Sequence, residues 1–320
     1  MINHLFIFSH FSALFGSHMH AKRVLSLASA TLGVLHSHSL AIYSIGNALS
    51  LVCGLERKHA IKQIDRLLTN TKLNVWQLFA IRTPSVVSPF PDISLSLDWL
   101  EFRIDGHSTL LINMLTPQGA VPLLWKTYKT SSLHGQRPTQ ERALLTRLKH
   151  SLPSNIRVTV LADTDQIALI DWLVPSLGFS YIVRIDAQEL VGYSQQPPLL
   201  ARECLSPTGR TRTLKNIELT LQRSQVARLY CYCKRDQKDP FFLASNREEL
   251  NSTQAWRLYT QHRPLHLHKR HSKDTRALQA YVLGSDMGEL RITSIVRRDR
   301  LLLLSVLAND VRRRALFPKS

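Results

Sequence analysis

A chain of 320 residues, 44% hydrophobic and 20% charged, has the make-up of a folded soluble protein with two or three domains rather than a disordered one. Lys and Arg number 41 against 23 acidic residues, a formal charge of +18, with a sequence pI near 10.2. Basic residues recur along the whole chain instead of forming one tail, which points to a polyanion, nucleic acid first, with ribosome-like association or an anionic membrane surface as alternatives.

Met1–Gly16 is apolar but has no basic start and is interrupted by His4 and His10, so it makes a poor signal peptide. Leu25–Gly54 carries no charged residue. Its recurrent Ser, Thr, Asn and His, and the glycines Gly33 and Gly46 that divide it, favour two buried helices joined at His36–Ser39 over a membrane span. In Lys58–Leu68, Ile61, Ile64, Leu67 and Leu68 share one helix face, while Lys58, Lys62 and Arg66 recur at every fourth position on another. That basic ridge is a candidate to lie along a DNA backbone; a merely solvated face has the same spacing.

Thr83–Pro91, with three prolines and two serines, is expected to end the helical part. Alternation at Ile93, Leu95 and Leu97 predicts a strand, with two more at Leu110–Leu115 and Val121–Trp125 joined by a turn at 117–119. A helix over Thr139–Leu152, a buried strand over Arg157–Ala162, a helix over Ile167–Leu177 stopped by Gly178 and a strand over Tyr181–Ile185 follow. This order describes a mixed α/β sheet. Residues 186–250 break the rhythm and read as a β-rich insertion, within which Phe241–Ala244 returns as a strand. Ser252–His262 is expected to be helical, residues 266–280 to continue it beyond Pro264, and Arg300–Val306 to form an apolar helix before the basic Arg312–Arg314. Cys53, Cys204, Cys231 and Cys233 lack the paired spacing of a structural zinc site and read as reduced thiols. The His18/His20 and His36/His38 pairs likewise lack a partner at ligand spacing.

Two aspartates are expected where strands end: Asp98 after Ile93–Leu97, and Asp163 after Val158–Ala162. Carboxylates held rigidly at the edge of a sheet suit Mg2+, which takes oxygen ligands and serves phosphodiester cleavage. Each alone is weak, because Asp commonly opens a loop.

The strings Lys58–Asn70, Ser96–Trp99, Gly119–Lys126, Leu161–Asp163, Gly178–Arg184, Leu243–Asn246 and Arg298–Leu304, in that order and spacing, resemble segments of the DDE insertion-sequence transposases of the IS-four kind. The resemblance runs over nearly the whole chain from about residue 18. It implies an α/β, RNase H-like mixed-sheet catalytic core with a helical N-terminal domain and a β-rich insertion. Its divisions are a DNA-binding domain at 1–90, the core at 91–185, the insertion at 186–250 and the rest of the core at 251–320. It further implies Asp98 and Asp163 as ligands of Mg2+ or Mn2+, cutting and joining of DNA, partnership with terminal-repeat and target DNA in a possible homodimer, no membrane, and a bacterial cytoplasmic, nucleoid-associated setting.

The family carries its third carboxylate in a Tyr-x2-Arg-x3-Glu-x6-Lys helix. Counting from Tyr259 puts His262 at the Arg, His266 at the Glu and Lys273 at the Lys. On a helix these positions fall on one side, so the scaffold of the motif is present and its acid is missing. Thr164–Gln166 also stands where the family has Arg-Gly-Phe. Imidazole suits zinc or copper better than magnesium, so the resemblance implies a degenerate copy: a transposase if still active, or a DNA-binding remnant or inhibitor of transposition if not. A local reading-frame shift, later restored, would produce the unlike string His262–Gln279, which the nucleotide sequence can decide. Arg263, Lys269 and Arg270 are candidate phosphate contacts with or without catalysis.

Overall fold

The computed structural model describes residues 2–37, 39–117, 119–193, 197–219, 224–233, 240–260 and 292–316, with the backbone only at 165 and 166. Five helices come first: α1 (His4–Phe15), α2 (Ala21–Leu35), α3 (Ile42–Cys53), α4 (Arg57–Thr69) and α5 (Val75–Val87). On α4 the expected division holds. Ala60, Ile64, Leu67 and Leu68 are buried, Ile61 is half-buried, and Lys58, Lys62 and Arg66 are exposed.

The uncharged stretch folds as two helices, but its glycines do not divide it, since Gly33 lies inside α2 and Gly46 inside α3. Their role is steric. A Cβ on Gly33 would come within 2.9 Å of the Ile45 carbonyl oxygen, and one on Gly46 within 2.7 Å of Ile61 Cα. The three helices cross so closely that bare backbone is required at both points. Among the described residues, no helix is long and apolar enough to cross a membrane.

The helical part ends within the proline-rich stretch, as expected, although α5 runs to Val87 with Pro84 inside it. Proline forfeits a backbone hydrogen bond there. Burial of Leu78, Phe79, Arg82, Thr83 and Val87 outweighs that loss.

Next come β1 (Asp92–Phe102), β2 (His107–Thr116), β3 (Gly119–Lys129), α6 (Arg137–Ser151), β4 (Arg157–Ala162) and β5 (Ser180–Ile185). Between β4 and β5 the expected single helix is broken into a 3-10 stretch (Thr164–Leu169), one α turn (Ile170–Trp172) and a wide π turn (Leu173–Leu177). Pro175 sits in the widened turn, where it cannot supply an N–H to an α-helical ladder. Gly178 then closes the segment at φ 65, a left-handed conformation that favours glycine.

The remaining described strands are β6 (Leu190–Gly192), β7 (Leu199–Leu200), β8 (Arg212–Leu219), β9 (Ser224–Tyr232) and β10 (Phe241–Ser245). All ten belong to one sheet in the order β3-β2-β1-β4-β5-β10-β9-β8-β6-β7. Strands β4 and β5 run parallel to β1, whereas every other pair of neighbours in that order is antiparallel. Strands β6–β9 therefore extend the central sheet through β10.

Residues 252–260 form α7, and Ile295–Leu316 form α8. Helix α8 ties the helical part to the sheet through polar groups. Arg82 of α5 grips Asp310 of α8 at 2.6 and 2.9 Å and donates a third bond, 2.7 Å, to the Pro122 carbonyl on β3. Arg300 caps the end of α4 at the Leu68 carbonyl, 2.7 Å. Arg298 stacks on Phe102 and pairs with Asp105. Asp299 accepts from the Thr127 hydroxyl on β3 at 2.5 Å, and burial pushes its carboxyl up to about 6.

Ala for Gly inside a helix ordinarily stabilises, by about 0.5–1 kcal/mol. The α3–α4 crossing reverses the sign: Gly46→Ala is expected to cost about 1–3 kcal/mol through overpacking, read as a lower midpoint in urea. A stabilised variant would show that the crossing is looser than described.

Candidate carboxylate site

The parallel strands bring the two expected aspartates together. Ser96 pairs with Leu161 across β1 and β4, and Ala162 pairs with Val183 across β4 and β5. Continuing each register places Asp98, Asp163 and Arg184 level with one another on three neighbouring strands. Level residues of parallel strands share a sheet face, and neighbouring strands lie about 4.8 Å apart. The continued register thus sets the two acids side by side along the sheet, and Arg184 flanks the second.

Asp98 does not sit where its strand ends. It lies inside β1, which continues to Phe102, and it is fully buried. The strand continues because the polar residues after Asp98 find partners. Trp99 donates to Glu141 of α6 at 2.8 Å, and Glu101 binds Arg137 and Ser108. Asp98 itself accepts from the Ser96 hydroxyl at 2.7 Å and from the Asn113 amide on β2 at 3.0 Å. Asp163 does follow its strand. Its Oδ1 accepts the Thr164 N–H at 3.0 Å and lies 3.9 Å from the Arg184 guanidinium.

Arg247 holds the register from the other end of these strands. It pairs with Asp92 at the start of β1 at 3.1 Å and donates to Thr159 of β4 at 2.9 Å. One nearly buried cation therefore bridges the two strands that carry the aspartates.

The row is framed on both sides. Leu111 pairs Asp98 and Trp125 pairs Leu111, and Trp125 donates to the Asp299 carbonyl of α8 at 3.3 Å. On the other side Leu243 pairs Arg184 and Tyr230 pairs Leu243. Tyr230 and Tyr232 each donate at 2.6 Å, to the Leu250 and Ser252 carbonyls at the start of α7. Arg184 stacks on Phe241 at 4.8 Å, and Phe241 packs against Tyr259 of α7 at 5.5 Å. Tyr259, buried, therefore reaches the row through Phe241 and Arg184. His266, Lys273, Arg263, Lys269 and Arg270 lie outside the described residues.

Away from the row, Lys62 and Arg66 line a cleft of about 530 Å3 between α2 and α4, together with Ser26, His59, Gln63 and Asn70. Lys58, also on α4, is exposed beside it. Sequence reasoning gave no role to Arg184, Asn113 or Arg247.

No protein-family model matches the chain, and no curated protein resembles it in sequence. Among solved structures, one that resembles it is a piggyBac transposase in a synaptic complex with hairpin DNA, determined by cryo-EM. The TM-score is 0.44 at 10% identity, over 100% of this chain and 83% of that one. A likeness this distant leaves any functional reading to rest on the chain's own residues.

Two adjacent carboxylates repel when both are ionised. In EDTA at pH 7, Asp98→Asn keeps an acceptor for Ser96 and Asn113 while removing one charge, so it is expected to be at least as stable as the parent, gaining up to about 1 kcal/mol. Arg184→Leu, which removes the cation beside Asp163, should lower the melting temperature. The reverse order of stabilities would mean that the two acids do not share a site.

Proposed function

We propose that this chain is a DNA-binding protein of the transposase kind, with an RNase H-like core whose Asp98–Asp163 pair takes a divalent cation for phosphodiester chemistry. The observation that supports the reading is the parallel pairing of β1 with β4, Ser96 opposite Leu161, whose continuation sets Asp98 beside Asp163. The order β3-β2-β1-β4-β5, with only β2 antiparallel to the rest, supports the same core. In this reading residues 1–90 bind DNA, 91–185 and 251–320 form the core, and 186–250 are an insertion.

The donor chemistry fits Mg2+ or Mn2+ in part. Two carboxylates supply hard oxygen ligands. Among the described residues, however, no group of three or more His, Cys, Asp or Glu is placed to hold a metal ion. A cation held by Asp98 and Asp163 would acidify a water and offset charge on phosphate oxygens. The chain's own residues do the positioning. Ser96 and Asn113 fix the Asp98 carboxylate, and the Thr164 N–H fixes that of Asp163. Arg184 offsets the charge of the pair, and Lys58, Lys62 and Arg66 of α4 hold DNA phosphates along the cleft.

His266, at the position of the family's Glu, favours a second reading: a protein that binds transposon ends, as a homodimer bridging two of them, without cutting. The α4 ridge serves both readings. A binding titration against salt on terminal-repeat DNA tests it: Lys62→Gln with Arg66→Gln should reduce the slope of log Kobs against log salt by about 2. An unchanged slope removes α4 from the interface. Nicking of the same DNA with Mg2+ or Mn2+ separates the readings. Cutting that Asp98→Asn abolishes and His266→Glu increases supports the enzyme; binding without cutting supports the second reading. Cutting that survives Asp98→Asn contradicts the assigned site.

A further inference from the structure

The sheet is covered on its other face as well. Trp99 follows Asp98 in β1, so its side chain points to the opposite side of the sheet, where it donates to Glu141 of α6. Helix α6 therefore lies behind the carboxylate row. Its outer side is basic. Glu141 is the one acidic residue of the helix and is buried, whereas Arg142, Arg147, Lys149 and His150 are exposed.

Each of the three permanent cations rests on an aromatic ring from a different neighbour. Arg147 lies over Trp76 of α5 at 4.2 Å, Arg142 over Trp172 of the α turn after β4 at 5.9 Å, and Lys149 over Phe179 just before β5 at 5.4 Å. A ring orders a cation without neutralising it, and a stacked guanidinium keeps its N–H edge free for phosphate oxygens. None of the three takes part in an ion pair among the described residues. Arg142 makes one further bond, to the Ala168 carbonyl at 3.2 Å. The acids beside this surface are engaged elsewhere: Glu101 by Arg137 and Ser108, and Asp171, next to Trp172, by Ser224 of β9 at 2.7 Å.

The surface continues the α4 cleft. Asn70 lines the end of that cleft and accepts the Lys72 N–H at 3.0 Å. Arg23 of α2 donates to the Lys72 carbonyl at 3.1 Å. Lys72 is exposed and stands four residues before Trp76, the ring under Arg147. Helix α5 makes the join, because Phe79 packs at 4.4 Å on Trp125 of β3, the edge strand, while Trp76 carries Arg147 of α6. Neighbouring cations thus lead from Lys62 and Arg66, past Lys72 and Arg23, to Arg147, Arg142 and Lys149.

We propose that α6 is a second phosphate-binding surface, and that one DNA duplex follows α4 past Lys72 and Arg23 onto α6. The inference rests on the DNA-binding reading above and extends its path. Because α6 lies behind the acids, the DNA it holds is flanking length, gripped by charge and not cut. Evenly repeated phosphates suit a run of cations spread from α4 to α6, and each phosphate engaged releases counterions.

The test is an anisotropy titration against salt on a duplex of about 40 base pairs, long enough at about 3.4 Å per pair to pass both surfaces. Arg142→Gln, Arg147→Gln and Lys149→Gln together should lower the slope of log Kobs against log salt by about 2–3. Adding the two α4 substitutions should lower it by about 2 more. Arg142→Lys with Arg147→Lys keeps the charge and should keep the parent slope. Circular dichroism on each variant confirms folding; if the triple variant fails to fold, each single substitution should lower the slope by about 1. A slope unchanged by the α6 substitutions but lowered by those on α4 overturns the proposal and leaves the DNA reading standing. A parent chain that binds no duplex overturns both. A slope lost equally in the lysine variants also overturns the proposal, since packing and not charge is then at work. So does loss of binding to phosphatidylserine vesicles in the triple variant with its DNA slope unchanged, which assigns the face to an anionic membrane.

Discussion

Parallel pairing in a fixed register is the constraint on which the rest of this molecule depends. Asp98 and Asp163 are distant in sequence and become neighbours only because β1 and β4 pair with Ser96 opposite Leu161. A slip of one residue would turn either side chain to the opposite face. The buried Arg247 resists such a slip by holding Asp92 on one strand and Thr159 on the other. The adjacent strand β5 repeats the device, with Val183 opposite Ala162, and so brings Arg184 to the flank of the pair.

Two helices then frame the row with different chemistry. Helix α8 approaches from the β3 side through backbone and carboxyl groups, at Trp125 and Thr127. It also holds α5 through Asp310 and α4 through Arg300, so the helical part and the sheet share one strut. Helix α7 approaches from the other side by packing its Trp256 on Tyr232 and Phe241, with the chain at its N-terminal end pinned by two tyrosine hydroxyls. Buried ion pairs such as Arg82–Asp310 are weak contributors to net stability, but removing one partner leaves an uncompensated charge. They therefore fix the geometry of the strut more than they strengthen it.

Much of this was legible in the sequence because the physics is local. The strand at 157–162 was read to the residue, since its apolar run is short and fully buried. The amphipathic face of α4 followed from periodicity. What failed depended on distant partners. Asp98 looked like a strand end because a buried acid is costly, and the Ser96 and Asn113 groups that bind its Oδ2 include one from another strand. The stretch Thr83–Pro91 did end the helical part, but the sequence did not show that Pro84 would lie inside α5, since its cost is local while the packing that offsets it is tertiary. Gly33 and Gly46 looked like breaks because a close helix crossing is invisible before the helices meet. Of the site, the acids were readable and their neighbours Arg184 and Arg247 were not, since a cation's partner is set by register.

The most direct measurement is an EPR titration of Mn2+ into the full-length chain, compared with Asp98→Asn and Asp163→Asn separately. A shared carboxylate site predicts one bound Mn2+ per chain, weakened at least about tenfold by either substitution alone, because each removes one of two anionic ligands from the same ion. Tight binding that survives both single substitutions, or that responds to only one of them, would contradict the account.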